Sequence, residues 1–554
     1  MSKKVGAILL DTRSIQKYVF SCNKLKTNVG ASYLVDAIFN DLMQDIVLPS
    51  FNLKMPEEKW QDTQKIKIGG NEIECEIVYI GGGNMLILVD KYSDDMEKNL
   101  ELCCEIVGRW SEEMLKKTPG LKTGAAIGEM DINDFKNSLD DMYKQLKANQ
   151  NTVLPQVDLP YTGLTLECDI SGKTADVFDW TDKRWISNEV KSKTDAYKYA
   201  AEKLREEYKY DLRDEEQNEY DFIDDLEHIG CKDGESYVSV IHIDGNNMGV
   251  KFGNCQDSQE RKKLSLKVVK IVQKSFRKLV KSIIDDYNNK VYDKVLDIKD
   301  LKRDGKKLLP IRPIIIGGDD ITFVCPGRLG IEYAKRFIEY VNEEELLTTE
   351  QRQRMKEAIN KGKSKDKDKK DLNQKMSCCG GVAIVPLKYP FFRAYQLAES
   401  LCGSAKDKSR QDDNSLIDFA ILYGEMTPTL AQLCRYQYSG AEGYLHYGPY
   451  SVINETKDKS HINDLLALKD KLANKNVPEN KVKELRDVLT KDMHSIMRFL
   501  ENCKQIEAIV KEETSKKEIY AEDFWQKKFE EKDLKTRYID AIEIIDFTLP
   551  KTEG

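Results

Sequence analysis

Apolar runs and helical stripes alternate along this chain in an order that occurs twice. Residues 5–10 (Val-Gly-Ala-Ile-Leu-Leu) predict a strand, and a helical stripe through Tyr18, Leu25, Ala31, Leu34, Ile38 and Leu42 follows it. The runs 73–80 and 84–89 flank Gly81-Gly82-Gly83 and predict a hairpin. A helix over 94–117, a strand at 123–127 and a helix over 130–148 complete the set. The series then returns. A strand is predicted at 237–243, and a long helix over 261–287 with Val268, Ile271, Val272, Phe276, Leu279, Val280 and Ile283 on its apolar stripe. After these come a hairpin at 313–325, a helix at 330–342, a strand at 380–385 and a helix at 391–405. Each series predicts an α+β unit with helices over one face of a sheet. Its recurrence predicts an internal duplication.

The remaining segments set the domain organisation. Four regions are expected: 1–150, 151–235, 236–425 and 426–554. The second includes a small β element at 162–175 and a charged, helical stretch at 183–229. Residues 344–375, rich in lysine at 361–370, interrupt the later copy and read as a solvated insertion or mobile loop. Helical signals at 461–475, 480–512 and 520–540 predict a C-terminal helical domain without chemistry of its own. A chain of 554 residues is long enough for several cores.

Composition narrows the chemistry. The 87 basic and 95 acidic residues leave a formal charge of −8, so any nucleic-acid contact must use a local patch. The 13 cysteines include no Cys-x-x-Cys pair, and no signal-peptide pattern opens the sequence. A reducing cytoplasm is expected. No run of eighteen apolar residues predicts a membrane span. Five scattered histidines argue against a histidine-clustered nuclease or phosphohydrolase. His242 lies in a strand two residues before Asp244 and reads as a satisfied structural histidine.

The candidate chemistry sits at strand ends. Asp244 closes the apolar run 237–243, and Asp319 and Asp320 follow Gly317-Gly318 in the later hairpin. Three such carboxylates suit Mg²⁺ or Mn²⁺ together with a nucleoside triphosphate. A polar hairpin beside an unrelated acid is the competing reading. Gly245, Asn246 and Asn247 form a tight loop whose N–H groups suit a phosphate, although a simple capping turn has the same composition. Lys406 and Arg410 close the last helix of the later copy, where they serve either phosphates or the helix dipole. The earlier copy has Gly81-Gly82-Gly83-Asn84 in place of Gly317-Gly318-Asp319-Asp320 and so lacks hairpin acids. Gly82 and Gly83 either receive a second, acceptor nucleotide or preserve a packed turn.

Four segments carry a resemblance: Ile243-Asp-Gly-Asn-Asn-Met-Gly249, Ile316-Gly-Gly-Asp-Asp-Ile321, Ser377-Cys-Cys-Gly-Gly-Val-Ala-Ile384 and Ala398–Lys406. Together they resemble the catalytic palm of the polymerase–cyclase subunits of type III CRISPR effector complexes. Ser14–Phe20 and Asn28–Leu34 resemble the same family's first palm. The resemblance implies two tandem ferredoxin-like palms, the first degenerate, with metals on Asp244, Asp319 and Asp320. It implies ATP as substrate and a cyclic oligoadenylate product. Its implied partners are RNA-guided effector subunits, guide RNA and target RNA, or a homo-oligomer if the chain acts alone. Two departures stand out. The palm pattern begins at residue 5 with no histidine-aspartate nuclease pattern before it. Between the palms Cys168 stands alone, with Ser171 where a second cysteine is expected, so no zinc is expected. A cyclic dinucleotide synthase and a non-enzymatic scaffold are the alternative functions.

Overall fold

The computed structural model describes residues 3–550 apart from 63–64, 69–71, 93–94, 152–162, 226–228, 230–235, 300, 304, 362–371, 411, 425–428, 454–459 and 528–532. The expectation for lysine-rich 361–370 therefore falls, beyond Lys361, outside the described residues.

The run Val5–Leu10 lies inside β1 (Lys4–Arg13) and is wholly buried. After β1 come α1 (Ile15–Val19), α2 (Leu25–Ala37), β2 (Cys75–Gly81), β3 (Asn84–Val89), α3 (Met96–Lys117), β4 (Lys122–Asp131) and α4 (Phe135–Gln150). The strands form an antiparallel sheet in the order β2-β3-β1-β4. A connecting region holds the hairpin β5 (Val177–Asp179) and β6 (Arg184–Ile186), then α5 (Asn188–Glu207), which packs along α2, and β7 (Tyr220–Phe222).

The second unit begins with β8 (Tyr237–Gly245), α6 (Met248–Gly253) and α7 (Ser258–Asn288). Asp257 caps α7 by accepting the Glu260 N–H at 2.7 Å. Two short strands, β9 (Lys302–Arg303) and β10 (Lys306–Leu309), join β7 in a small sheet. Then follow β11 (Arg312–Gly317), β12 (Asp320–Pro326), α8 (Gly330–Asn342), α9 (Thr349–Lys361), β13 (Cys378–Pro386) and α10 (Phe391–Ser409). β14 (Leu416–Ile421) and β15 (Tyr450–Ser451), with α11 (Leu430–Tyr436) between them, extend the sheet to the order β11-β12-β8-β13-β14-β15. Its first four positions repeat β2-β3-β1-β4. Both hairpins also carry a register shift at the same place, between Ile77 and Tyr79 and between Pro313 and Ile315.

Helices cover both faces of each sheet, which corrects the one-face expectation. In the first unit Val5, Ala7 and Leu9 pack with Phe135, Leu139 and Met142 of α4. Ile8 and Leu10 share the opposite core with Ile106 and Trp110 of α3. In the second unit a Cβ at Gly381 would overlap the Ala398 carbonyl of α10, whereas one at Gly380 would meet Ile338 of α8. The physical reason lies in the strands themselves. Their apolar runs are continuous rather than alternating, and a continuous run needs cover on both sides.

Beyond the sheet lie α12 (Ile462–Leu472), α13 (Glu479–Leu489), α14 (Met493–Asn502), α15 (Lys504–Thr514), the paired β16 (Gln526–Lys527) and β17 (Leu534–Lys535), and α16 (Tyr538–Glu543). The predicted helix over 480–512 is three helices, because Asp492 caps a new start by accepting the Ser495 N–H at 3.0 Å and Cys503 leaves helical geometry. Among the described residues of 520–540 there is one short 3₁₀ helix, Ala521–Phe524, then the paired strands, and α-helix begins at Tyr538.

A buried histidine ties this region to the sheet. His446 bridges Asp418 of β14, at 2.7 Å from Nε2, and Asp540 of α16, at 2.8 Å from Nδ1. Burial opposes its charge, but the two carboxylates outweigh that and hold His446 well above its ordinary value. Nearby, burial pushes Glu543 up to about 7 although Arg486 opposes it. Both shifts have the same sign for stability. The histidine's contribution is complete below its unfolded value of roughly 6.5 and is lost as pH rises through its folded value. Glu543 loses stability as pH rises towards about 7, because its charged form is the disfavoured one. The denaturant midpoint should therefore fall from pH 6 to pH 9. His446→Gln should lower stability at pH 6 by about 3 kcal/mol and flatten the slope above that pH. Equilibrium unfolding across that range tests both.

Candidate active site

Strand register brings the acids together. Asp320, the first residue of β12, stands directly opposite Asp244 near the end of β8. Directly opposed residues of an antiparallel pair share a sheet face. Here that face is the one covered by α10, since Gly381, against which α10 lies, is opposite His242 on the same side. Asp319 occupies the two-residue turn between β11 and β12, and its carbonyl accepts the Gly245 N–H at 3.1 Å. Gly318 makes that turn with φ of +60°, a conformation that glycine adopts without strain.

Lys406 is the ammonium in contact with these carboxylates, while buried Lys251, paired with Asp413 at 3.5 Å, also feels Asp319. Lys406, near the end of α10, donates to Asp244 and to the Gly245 carbonyl, the latter at 2.9 Å. Burial, followed by the Asp244 carboxylate, pushes Asp319 up to about 7, with Lys406 opposing. Burial, then Asp319 and Asp244, hold Asp320 well above the carboxylate range. Lys406 is raised, because Asp244 outweighs the burial that disfavours its charge. The cluster is thus one or more positive charges short of balance, which is the donor chemistry that a divalent cation fits. Among the described residues, no three or more His, Cys, Asp or Glu side chains are already grouped to hold a metal ion. Asp244 is engaged by Lys406 instead.

The other predicted residues divide. His242 is buried, 3.0 Å from the Thr322 hydroxyl, and burial lowers it to about 4, so it is a neutral structural histidine. Asn246 and Asn247 are spent on packing. Asn246 Nδ2 donates to the Ser409 hydroxyl and the Asn414 carbonyl, both at 2.9 Å, and Asn247 Nδ2 donates to Asp413 at 2.8 Å. Arg410 is exposed and pairs with Asp407 at 2.8 Å. Gly317 faces solvent at the end of β11, opposite Asp320. Gly82 and Gly318 meet turn to turn, a Cβ on Gly318 falling 3.2 Å from the Gly82 nitrogen. Gly83, by contrast, is packed against Thr12 and Ile15, and a Cβ there would fall 2.2 Å from the Ile15 Cδ1.

Two residues were missed. Asp11 stands opposite Asn84 as Asp244 stands opposite Asp320, and Gln150 Nε2 donates to Asp11 at 2.7 Å as Lys406 does to Asp244. The signal was present in the spacing. Asp11 ends an apolar run just as Asp244 does. Gln150 and Lys406 each lie fifteen residues after the phenylalanine that opens their helix.

A cavity of about 470 Å³ lies beside the joined turns. Gly82, Gly318 and Asp319 form one end. α4 contributes Phe135, Leu139 and Tyr143, and the second unit contributes Phe252, Gly253 and Arg261. The Arg261 guanidinium lies 4.6 Å from the centre of the Tyr79 ring and donates to the Tyr143 hydroxyl at 2.9 Å. The cavity therefore has an acidic, glycine-lined end and an aromatic, cationic end.

Residues 237–415 match the family model of the Cas10/Cmr2 second palm domain. That palm segment holds Asp244, Asp319, Asp320 and Lys406. No curated protein matches the chain. The crystal structure of Csm1 in T. onnurineus aligns with 99% of this chain and 70% of that one, at 14% identity and a TM-score of 0.51. At that identity the likeness is one of fold. The Csm1–Csm4 cassette in complex with AMPPNP aligns over 88% of this chain, at 14% identity and a TM-score of 0.45, and the cassette in complex with cA4 does so at 14% and 0.44. The chain spans 63% of the length of those two matched chains.

Removing the crowded acids should relieve the fold. Asp319→Ala with Asp320→Ala is expected to raise stability by about 1–3 kcal/mol at pH 8 and by little near pH 4, because raised carboxylates lose stability as pH climbs through their folded values. Magnesium should raise the melting midpoint of the wild type and leave that of the double variant unmoved. Thermal melts with and without the ion test both expectations.

Proposed function

We propose that this chain is a metal-dependent nucleotidyltransferase that joins ATP through 3′–5′ bonds into cyclic oligoadenylate. The observation that carries this reading is the convergence of Asp244, Asp319 and Asp320 at adjacent strand ends, with Asp319 lining a nucleotide-sized cavity, within the segment that matches a palm domain. Magnesium or manganese held by those three acids would neutralise the triphosphate and favour ionisation of the attacking hydroxyl.

The chain's own groups suit the rest of the task. The glycine turns at Gly82 and Gly318 allow phosphate oxygens to approach the backbone closely. Lys406 keeps part of its side chain accessible and carries a charge that phosphate oxygens accept as readily as Asp244 does. Phe135, Leu139, Tyr143 and Phe252 offer apolar faces to a base at the other end of the cavity. The position of Arg410 on Asp407 gives it no part in this scheme. On the same reading the setting is a type III CRISPR complex, with RNA-guided effector subunits, guide RNA and target RNA as partners.

Labelled ATP with Mg²⁺ or Mn²⁺ tests the proposal, with the protein alone and with its complex subunits and target RNA. Pyrophosphate release and a cyclic adenylate are expected, and product mass separates a dinucleotide ring from larger ones. Asp319→Ala with Asp320→Ala should reduce turnover at least about 100-fold. Lys406→Met should reduce it by about 10–100-fold while the protein remains folded. Silence from the complete complex, or full activity in the folded double variant, would overturn the assignment.

A further inference from the structure

A second cavity, of about 180 Å³, lies along the same seam between the two units. β2 gives Tyr79 and Gly81 to the cavity beside Asp319, and Glu76 and Ile77 to this smaller one. α7 gives Arg261 to the first and Lys262 to the second. The π-helical segment Ile38–Val47 and the loop at 55–60 complete the smaller cavity.

Its walls are out of electrical balance. Asp45 pairs with Lys59 at 2.8 Å, and Glu76 with Lys262 at 3.3 Å. Glu76 also accepts the Lys67 and Ile68 N–H groups, at 2.6 and 2.8 Å, and is fully engaged. Glu57 and Glu58 line the cavity from exposed positions and have no ion-pair partner among the described residues. The lining therefore carries two more negative charges than positive ones. Gln44 is a separate observation. It lines the cavity and is only 8% exposed. Its Nε2 donates to Asp45 at 3.3 Å, and its buried Oε1 accepts no bond. A buried acceptor left unmet costs free energy. Met55, Pro56, Ile77 and Trp60 make the rest of the wall apolar. The indole is held in place, because Trp60 Nε1 donates to the Asn40 side-chain oxygen at 3.3 Å.

We infer that this cavity is a binding site for a linear alkyl diammonium ion. Two ammonium groups answer the two unpaired carboxylates, a methylene chain covers the apolar wall, and Gln44 Oε1 accepts from an ammonium that reaches inward. The Trp60 ring offers its face to the same cation. The sign of the charge excludes a nucleotide, and a hydrated metal ion would leave the apolar wall uncovered. Because Glu76 and Lys262 join β2 to α7 across the two units, an occupant would brace that seam one residue from Arg261.

Calorimetric titration of the full chain with 1,4-diaminobutane is the test. The wild type should bind one equivalent. 1-Aminobutane should bind about tenfold more weakly or worse, since it leaves a carboxylate unanswered. Glu57→Gln with Glu58→Gln, at exposed positions on which little stability rests, should lose about tenfold or more in affinity. Gln44→Leu should weaken binding by removing the buried acceptor. Asp319→Ala with Asp320→Ala should bind the diamine as the wild type does, which separates this cavity from the acids of the candidate active site. No binding by the wild type, undiminished binding by the folded Glu57→Gln and Glu58→Gln variant, or binding lost with Asp319 and Asp320 would overturn the assignment. Displacement of the diamine by Mg²⁺ at equal concentration would make this a metal site instead. Tighter binding of Nα-acetyl-lysine amide would give it to a lysine of a partner protein. Either result would equally overturn the diamine.

Discussion

Two glycine turns touch at Gly82 and Gly318, and the chemistry of the molecule is arranged around that contact. A side chain on Gly318 would press against the Gly82 backbone, so the closeness of the two hairpins depends on glycine at 318. The contact places Asp319 at the join between units and leaves the cavity beside it. It also makes the two sheets share one mouth, so that a change in either turn is felt by both. Strand register does the rest, setting one acid opposite another on the face where α10 delivers its lysine.

The two copies resolve the same crowding in opposite ways. The second keeps three carboxylates with one ammonium in contact and tolerates raised acids, as functional sites commonly tolerate local cost. The first keeps Asp11 but faces it with Asn84 and Gln150, neutral amides that need no counter-charge. Its carboxylate is raised chiefly by burial, with the Gln150 hydrogen bond opposing. Geometry has been retained in the first copy while the charge that gives the geometry a use has been removed.

Much of this was legible in the sequence. The strand and helix order of both copies and the hairpin acids follow from apolar runs and glycine punctuation, and the ends of β3, α3, α8 and β12 fall within two residues of expectation. Periodicity could not say which way continuous apolar strands would be covered, and so the second helical layer was missed. β14 and β15 escaped because one is a short run and the other is two residues placed by pairing alone. Asn246 and Asn247 look like phosphate-loop residues until Ser409, Asp413 and Asn414 occupy their amides, a long-range contact with no local signature. Asp11 and Gln150 were legible in principle, since each matches its counterpart in spacing, but a neutral glutamine gives no chemical cue.

The packing of Gly83 has a historical consequence. An aspartate there would collide with the side chains of Ile15 and Thr12, so the first copy cannot regain its turn acid unless these side chains shift. It would also need Asn84 and Gln150, the partners of Asp11, to change, and neither change alone supplies the three acids and one lysine of the second copy. Such a set of mutually contingent losses acts as a ratchet. With several positions needing to change together, single substitutions in the first copy lead away from a carboxylate centre rather than back to one.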